Sequence, residues 1–187
     1  MNSPLLTDTP GKSPYRRGAD DGILFGLLLC AAFFCGVYSF RLPLLGFACL
    51  VIALSVPFVI YRFLRRSYVT DRYTTQLSSL WMQGIMTFAC GCVIAGLVAT
   101  VYLKWINPDF IIERVREAID FYRDSGWQRG KETAAVLQRM VDSHMLPGPV
   151  SMVVEMIWLG IFSGSLLSLL MALLARARGE NKNYRNN

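Results

Sequence analysis

The sequence has few charged residues and lacks the side-chain sets from which catalytic or metal sites are usually built. Charged residues make up 17% of the 187 positions, whereas soluble domains average about a quarter. The single histidine, His144, cannot form a Ser-His-Asp site or a metal centre without further members. We therefore interpret it as a surface or helix-capping residue. There is no glycine-rich phosphate loop, and we expect no catalytic residue, no metal, no cofactor and no enzymatic activity.

Cysteine is present five times but never as a C-x-x-C pair. Cys90 and Cys92 are two residues apart, so on a helix they point about 200° from each other and cannot hold one metal ion together. Small apolar packing is the expected role of all five. This pattern also argues against a quinone-linked disulfide enzyme. The cysteines all lie inside apolar segments, at Cys30, Cys35, Cys49, Cys90 and Cys92.

Long apolar segments are what the sequence does contain. Four of them cover residues 22–40, 42–61, 80–103 and 150–175, and each is long enough to cross a hydrocarbon core about 30 Å thick. Such segments must be helical, because lipid offers no partner to an exposed backbone N–H or C=O. The fold class is therefore predicted to be all-α, a polytopic membrane protein with four transmembrane helices in one domain over residues 18–178.

The polar block between the third and fourth segments is predicted to form an amphipathic helical hairpin over residues 107–148. Apolar side chains recur at helical spacing from Ile111 to Tyr122, and again from Val136 to Val141. The block is far shorter than the roughly 100–150 residues of a typical domain. It therefore leaves no room for a separate soluble enzyme domain.

The formal net charge of +6 is interpreted as a topology signal. Lys and Arg concentrate before the first segment, between the second and third, and after the fourth, while the positive charges of residues 107–148 are nearly balanced by acids. Both termini are thus predicted to be cytoplasmic, with flexible tails over residues 1–17 and 179–187. The basic residues favour contact with anionic lipid headgroups of the bilayer and not with nucleic acid.

Small residues spaced four apart indicate how the helices pack. Gly22 and Gly26 share one face of the first segment, and Gly160 and Gly164 share one face of the fourth. Such faces let helix backbones approach closely where lipid supplies no hydrophobic drive. Packing within the chain is the main expectation, and homodimerisation is the alternative. Trp158 lies too deep for an interfacial belt and is predicted to be a packing residue.

Three further residues are candidates for function within the membrane. Glu155 is the one carboxylate placed inside an apolar segment, and an ionisable group there is by default a functional hypothesis. It could also reach the headgroup region or pair with Lys104. Gln83 has the same status near one end of the third segment. Pro57 should kink the second helix, since its ring removes a backbone hydrogen bond.

The sequence as a whole resembles the bacterial membrane proteins collected as domain-of-unknown-function family 4199. The similar segments are Leu80–Phe88, Tyr102–Pro108, Glu155–Trp158 and Phe162–Gly164, and the resemblance extends over about residues 18–176. It implies a four-helix inner-membrane protein of Gram-negative bacteria with no established activity and no catalytic residues to carry over. It also implies an accessory role in envelope assembly.

Three hypotheses about function follow. The first is a non-enzymatic accessory protein of the bacterial envelope that acts by helix–helix contact with a membrane-protein partner or a second copy. The second is a small transporter or lipid-handling protein that uses Glu155 together with Gln83 and Pro57. The third is an intramembrane enzyme, for which no paired nucleophile and base is apparent.

Overall fold

The structure is a computed structural model that describes residues 13–39, 42–71, 75–124, 126, 128–143 and 147–184. Residues 1–12 of the predicted first tail, together with His144, lie outside the described residues. The described residues form helices and no strand. In chain order the α-helices are α1 (Pro14–Tyr38), α2 (Pro43–Thr70), α3 (Leu77–Val101), α4 (Phe110–Asp124), α5 (Gln128–Asp142) and α6 (Pro149–Tyr184).

The first helix begins eight residues before the predicted apolar boundary. Ser13 caps it, because its side-chain oxygen accepts a hydrogen bond from the backbone N–H of Arg16 at 3.4 Å, and Pro14 occupies the first turn. Proline is well tolerated there, since its missing N–H would have no partner within the helix. Our expectation that residues 14–17 belong to a flexible tail was therefore wrong.

Two other long helices also continue beyond their apolar segments. The second was predicted to end at Tyr61 but reaches Thr70, and the fourth was predicted to end at residue 175 but α6 reaches Tyr184. Hydropathy marks where a helix leaves the lipid, not where its backbone hydrogen bonds stop. The arginines of these extensions are good helix formers, so the helices continue.

The third long helix changes geometry at its end. After Val101 the backbone forms a π-helical turn over Tyr102–Ile106, and the N–H of Asn107 donates to the carbonyl of Tyr102 at 2.9 Å. The two shorter helices, α4 and α5, follow and contact each other. Gly126 between them has a φ of 70°, a conformation that glycine adopts without the steric cost of a Cβ.

Four helical stretches in the described part of the chain are long and apolar enough to cross a membrane. They are Pro14–Tyr38, Leu44–Thr70, Leu77–Ile106 and Pro149–Ala177. This agrees with the four spans that hydropathy predicts. Helices of this number, length and composition indicate a multi-pass membrane protein.

The chain divides into two compact units, Met1–Ala95 with Leu159–Asn187, and Gly96–Trp158. In the first unit, the buried core joins all four long helices. Phe25 of α1 and Phe88 of α3 meet edge to face with ring centroids 4.8 Å apart, a favoured aromatic geometry. The remaining buried members of this core are Ile60, Leu64, Tyr68, Leu80 and Ala172.

The second unit contains α4, α5 and the adjoining ends of α3 and α6. Ile119 of α4 and Ala134 of α5 are buried. The ring of Phe110 packs edge to face with Tyr102, at a centroid distance of 6.1 Å, and the guanidinium of Arg114 lies 5.2 Å from the same ring. The ring contact connects the start of α4 with the π-helical turn, and the cation–π contact lies within α4 itself.

Candidate functional site

The glycines of α1 bring this helix unusually close to α3. Gly18, Gly22 and Gly26 lie four residues apart and all face α3. A Cβ built on Gly22 would lie 2.6 Å from the Cβ of Cys90, and one on Gly26 would lie 3.0 Å from the Cβ of Ile94. Only a residue without a side chain fits at such distances. The structure thus places both glycines that the sequence singled out on this face in contacts within the chain.

The glycines that face α3 from α1 form one glycine seam, and a second glycine seam joins α3 to α6. A Cβ on Gly160 would lie 2.9 Å from the Sγ of Cys92, and one on Gly164 would meet the ring of Phe88. These two glycines are therefore also used within the chain. Because four glycines are occupied in this way, a partner of this protein would have to bind a different surface.

Close packing of α1 on α3 creates a buried polar cluster around Gln83. The side chain of Gln83 is 2% exposed. Its Nε2 donates to Oδ2 of Asp21 on α1 and to Oγ of Ser67 on α2, both at 2.8 Å. One amide thereby connects three helices. Buried polar groups are stable only when such partners are present, so Gln83 holds Asp21 in a fixed position.

Thr87, one turn further along α3, extends the cluster through backbone groups. Its hydroxyl is within hydrogen-bond distance of the carbonyl of Gln83 at 2.9 Å and of the carbonyl of Gly18 at 3.3 Å. The second contact is possible because Gly18 lets the α1 backbone approach α3. The glycine seam and the polar cluster are therefore parts of one arrangement.

An ion pair lies beside this cluster, where α1 begins and α2 ends. The guanidinium of Arg17 donates two parallel hydrogen bonds to the carboxylate of Asp71, at 2.7 and 2.8 Å. The hydroxyl of Thr75 donates a third, at 2.8 Å. The hydrogen bond from Arg17 holds the pKa of Asp71 below its ordinary value of 3.8, against the opposing effect of partial burial. This bidentate pair ties the start of α1 to the end of α2.

A pocket of about 490 Å³ opens between α1 and α2 next to the ion pair. Its walls carry charged, hydroxyl and apolar side chains together. Arg17 and Ser67 line it at the edge of the cluster. The other side chains that line the pocket are Asp20, Asp21, Leu24, Phe63, Arg66 and Thr70.

The remaining residues predicted as functional lie in different surroundings. Glu155 is exposed on α6 and makes no hydrogen bond or ion pair with a described residue, so the structure does not show the pairing with Lys104 that we considered. Pro57 lies inside the continuous helix α2 and is partly buried. Trp158 is 70% exposed. Our expectation that Trp158 packs within the chain was wrong, because Gly160 and Gly164 turn the opposite side of α6 toward α3.

Sequence reasoning missed most of the site. Arg17 was included only among the basic residues that precede the first segment, and Asp21, Ser67 and Asp71 were not predicted as site residues. One signal was available, since Arg17 and Asp21 are spaced by four residues and share a helix face. The partner helices are more than 45 positions away in the sequence, and nothing in the local pattern identifies them.

This arrangement can bind a ligand through hydrogen bonds and charge. Its described groups are carboxylates, guanidinium groups, an amide and hydroxyls, arranged as hydrogen-bonding and charge partners. In the part of the chain that the structure describes, no three His, Cys, Asp or Glu side chains are grouped so that they could hold a metal ion. The cluster places fixed polar side chains beside an open pocket.

The fold and the cluster define a class, that of all-helical proteins with four candidate membrane-spanning helices packed on glycine seams. Within this class, the chain belongs to the family described as "Protein of unknown function (DUF4199)", whose model matches residues 20–177. This confirms the resemblance noted from the sequence. Neither the comparison with curated proteins nor the comparison with solved structures gives a match.

Proposed function

We propose that this protein is a non-enzymatic accessory protein of the bacterial inner membrane, and that it acts by binding a helix of another membrane protein. In this proposal both termini are cytoplasmic and α4 with α5 forms an external amphipathic hairpin. The distribution of Lys and Arg supports that orientation. The contact of α4 with α5, together with the burial of Ile119 and Ala134, supports the hairpin.

The observation that carries the proposal is a pair of polar groups on the exposed surface of α6. The carboxylate of Glu155 and the indole N–H of Trp158 are three residues apart, so they lie on neighbouring turns of one face. Neither group has a hydrogen-bond partner among the described residues. Phe162, one turn beyond Trp158, is exposed on the same side.

Depth in the bilayer makes this pair costly to leave without partners. The 29 residues of Pro149–Ala177 are about 43 Å long as a helix, so a centred span extends roughly 7 Å beyond the apolar core at each end. Glu155 lies about 9 Å and Trp158 about 13 Å from the start of the helix. Glu155 is thus at the edge of the hydrocarbon, and Trp158 is well inside it.

A partner helix would satisfy both groups. Trp81 illustrates the requirement, because its Nε1 donates to the carbonyl of Ser165 at 3.1 Å, whereas Trp158 has no such acceptor among the described residues. Interhelical hydrogen bonds in membranes contribute about 0.6–2 kcal/mol each. We therefore expect the partner to present an acceptor to Trp158 and a donor to Glu155.

Site-specific photo-crosslinking in native membranes tests the proposal. A crosslinking residue at Phe162 should capture one other membrane protein, while the same residue at Phe58, which is 75% exposed on α2, should not capture it. Trp158→Phe should reduce the adduct at position 162 by about threefold to thirtyfold, corresponding to one lost interhelical hydrogen bond.

Three outcomes would contradict the proposal. One is the recovery of uncrosslinked monomer alone at both positions, and another is equal capture at positions 162 and 58. The third is an adduct of twice the chain mass, which would replace the partner by a second copy. The rival transporter built on Glu155, Gln83 and Pro57 has no supporting observation, because Glu155 lies on an outward face and Nε2 of Gln83 is engaged by Asp21 and Ser67.

A further inference from the structure

The pocket between α1 and α2 has the volume of a ligand site. Its volume of about 490 Å³ falls within the range of about 300–1,000 Å³ that is typical of small-molecule pockets. Asp20, Asp21 and Leu24 line it from α1, while Phe63 and Arg66 line it from α2. All of these residues belong to the first unit, and none is used in the proposed contact at α6.

The charges in the pocket are of both signs. Arg17 is neutralised by its bidentate pair with Asp71. The guanidinium of Arg66 is exposed and makes no hydrogen bond or ion pair within 4 Å to a described residue, although its charge acts on Asp21. A simple anion would meet the carboxylates of Asp20 and Asp21, and a simple cation would meet Arg66. A ligand with one positive and one negative group fits both.

The carboxylate of Asp21 is already fixed in position where such a ligand would bind. Oδ2 of Asp21 accepts the amide hydrogen bond of the buried Gln83, while Oδ1 makes no hydrogen bond to a described residue. Gln83 is itself fixed by Ser67. Asp21 is thus positioned by a rigid second layer of residues, an arrangement that lowers the ordering cost of binding.

The pocket also lies where polar and apolar surface meet. Asp21 immediately precedes the apolar segment of α1, and Arg66 follows the apolar segment of α2, which ends at Tyr61. On the apolar side, Leu24 is 59% exposed and lines the pocket beside Phe63. A ligand whose charged end lies between Asp21 and Arg66 could therefore extend an apolar chain along Leu24.

We propose that this pocket binds the headgroup of a zwitterionic phospholipid with a primary amine, which is a phosphoethanolamine group attached to acyl chains. The phosphate lies against Arg66, whose planar guanidinium suits phosphate oxygens. The ammonium, which has three N–H donors, lies against Oδ1 of Asp21. The acyl chains follow Leu24 into the bilayer. This inference is independent of the contact proposed at α6.

Native mass spectrometry of the full-length protein, released from nanodiscs, tests the inference. Discs of phosphatidylethanolamine, phosphatidylcholine and phosphatidylglycerol are compared, because the second lacks N–H donors on its headgroup and the third lacks the amine. The wild type should retain the ethanolamine lipid about tenfold more than either other lipid, because only that headgroup offers N–H donors to Asp21. Arg66→Gln should lower retention of the ethanolamine lipid about tenfold, since a charge-assisted hydrogen bond to its phosphate is lost. Arg65→Gln, the neighbouring exposed arginine that does not line the pocket, is the matched control and should leave retention unchanged.

A second variant and a soluble competitor keep the test decisive. Leu24→Trp alters only a lipid-exposed apolar position, so it should fold and should block the acyl path, which lowers retention of the ethanolamine lipid. Displacement of that lipid by millimolar free phosphoethanolamine would support recognition of the phosphoethanolamine group. It would also show that the pocket can take this group from a soluble ligand. Equal retention of all three lipids, or unchanged retention in both Arg66→Gln and Leu24→Trp, would overturn the inference.

Discussion

The most specific prediction concerns the glycine seam between α1 and α3. A methyl group at Gly22 would lie 2.6 Å from the Cβ of Cys90 and 3.2 Å from the backbone carbonyl oxygen of Thr87. Carbon atoms pack best at about 3.5–4.0 Å, so Gly22→Ala requires the helices to separate by about 1 Å. Both atoms that the methyl group would meet belong to α3. One is part of the helix backbone and the other is attached directly to it, so neither can rotate away.

The expected loss of folding stability in Gly22→Ala follows from comparing Gly22 with Gly36 on the same helix. A Cβ on Gly36 would lie 3.9 Å from the Sγ of Cys49, which is an ordinary contact. Both Gly→Ala changes gain the same helix propensity, about 1 kcal/mol, so this gain cancels in the difference. Overpacking costs about 1–3 kcal/mol, and Gly22→Ala should be less stable than Gly36→Ala by that amount.

Unfolding of the purified full-length variants in mild detergent measures this difference. Tryptophan fluorescence or helical circular dichroism, followed against increasing denaturing detergent, gives the free energy of unfolding. Gly36→Ala should unfold at or slightly above the wild-type midpoint, and Gly22→Ala clearly below it. Equal midpoints for the two variants would refute the argument that Gly22 lies at a close helix crossing.

The same unfolding assay checks two predictions about the polar cluster. Because the pKa of Asp71 is lowered in the folded state, its pairing with Arg17 should stabilise the protein above pH of about 4. That stability should be lost as the pH falls from the ordinary aspartate pKa of 3.8 through the lower pKa of Asp71 in the folded state. Asp71→Asn should abolish this loss of stability at acid pH. An unchanged pH dependence in the variant would contradict the role of the ion pair. Gln83→Leu should cost about 1–3 kcal/mol, because it leaves the carboxylate of Asp21 and a buried hydroxyl without a donor. Gln138→Leu, at a glutamine on α5 whose hydrogen bond is exposed, should change stability by less than about 0.5 kcal/mol; equal losses for the two glutamines would sink the argument.

The number and approximate position of the long helices could be predicted from sequence, because hydrocarbon leaves an apolar segment no other backbone solution. The ends of the helices were harder to predict from the sequence. The start of α1 depends on the cap at Ser13 and on Pro14, which lie in the segment that was predicted to be a flexible tail. The end of α2 depends on arginines that hydropathy treats as the end of a span.

The surroundings of single residues were the hardest to predict. Glu155 stood out as a lone acid, but α6 is apolar on all sides, so its sequence has no periodicity that shows which face turns inward. The exposure of Glu155 and Trp158, together with the contacts of Gly160 and Gly164 with α3, shows which side of α6 turns outward. Asp21, in contrast, resembled an ordinary flanking acid until α3 placed Gln83 against it.

The central claim is that the chain crosses the membrane four times, and a pair of reporter fusions tests it most directly. Alkaline phosphatase, which is active only outside the cytoplasm, and green fluorescent protein, which fluoresces only inside it, are each fused after Gln128 and after the last residue. We expect phosphatase activity at Gln128 and fluorescence at the C-terminus. Fluorescence at Gln128, with both positions on one side of the membrane, would contradict it.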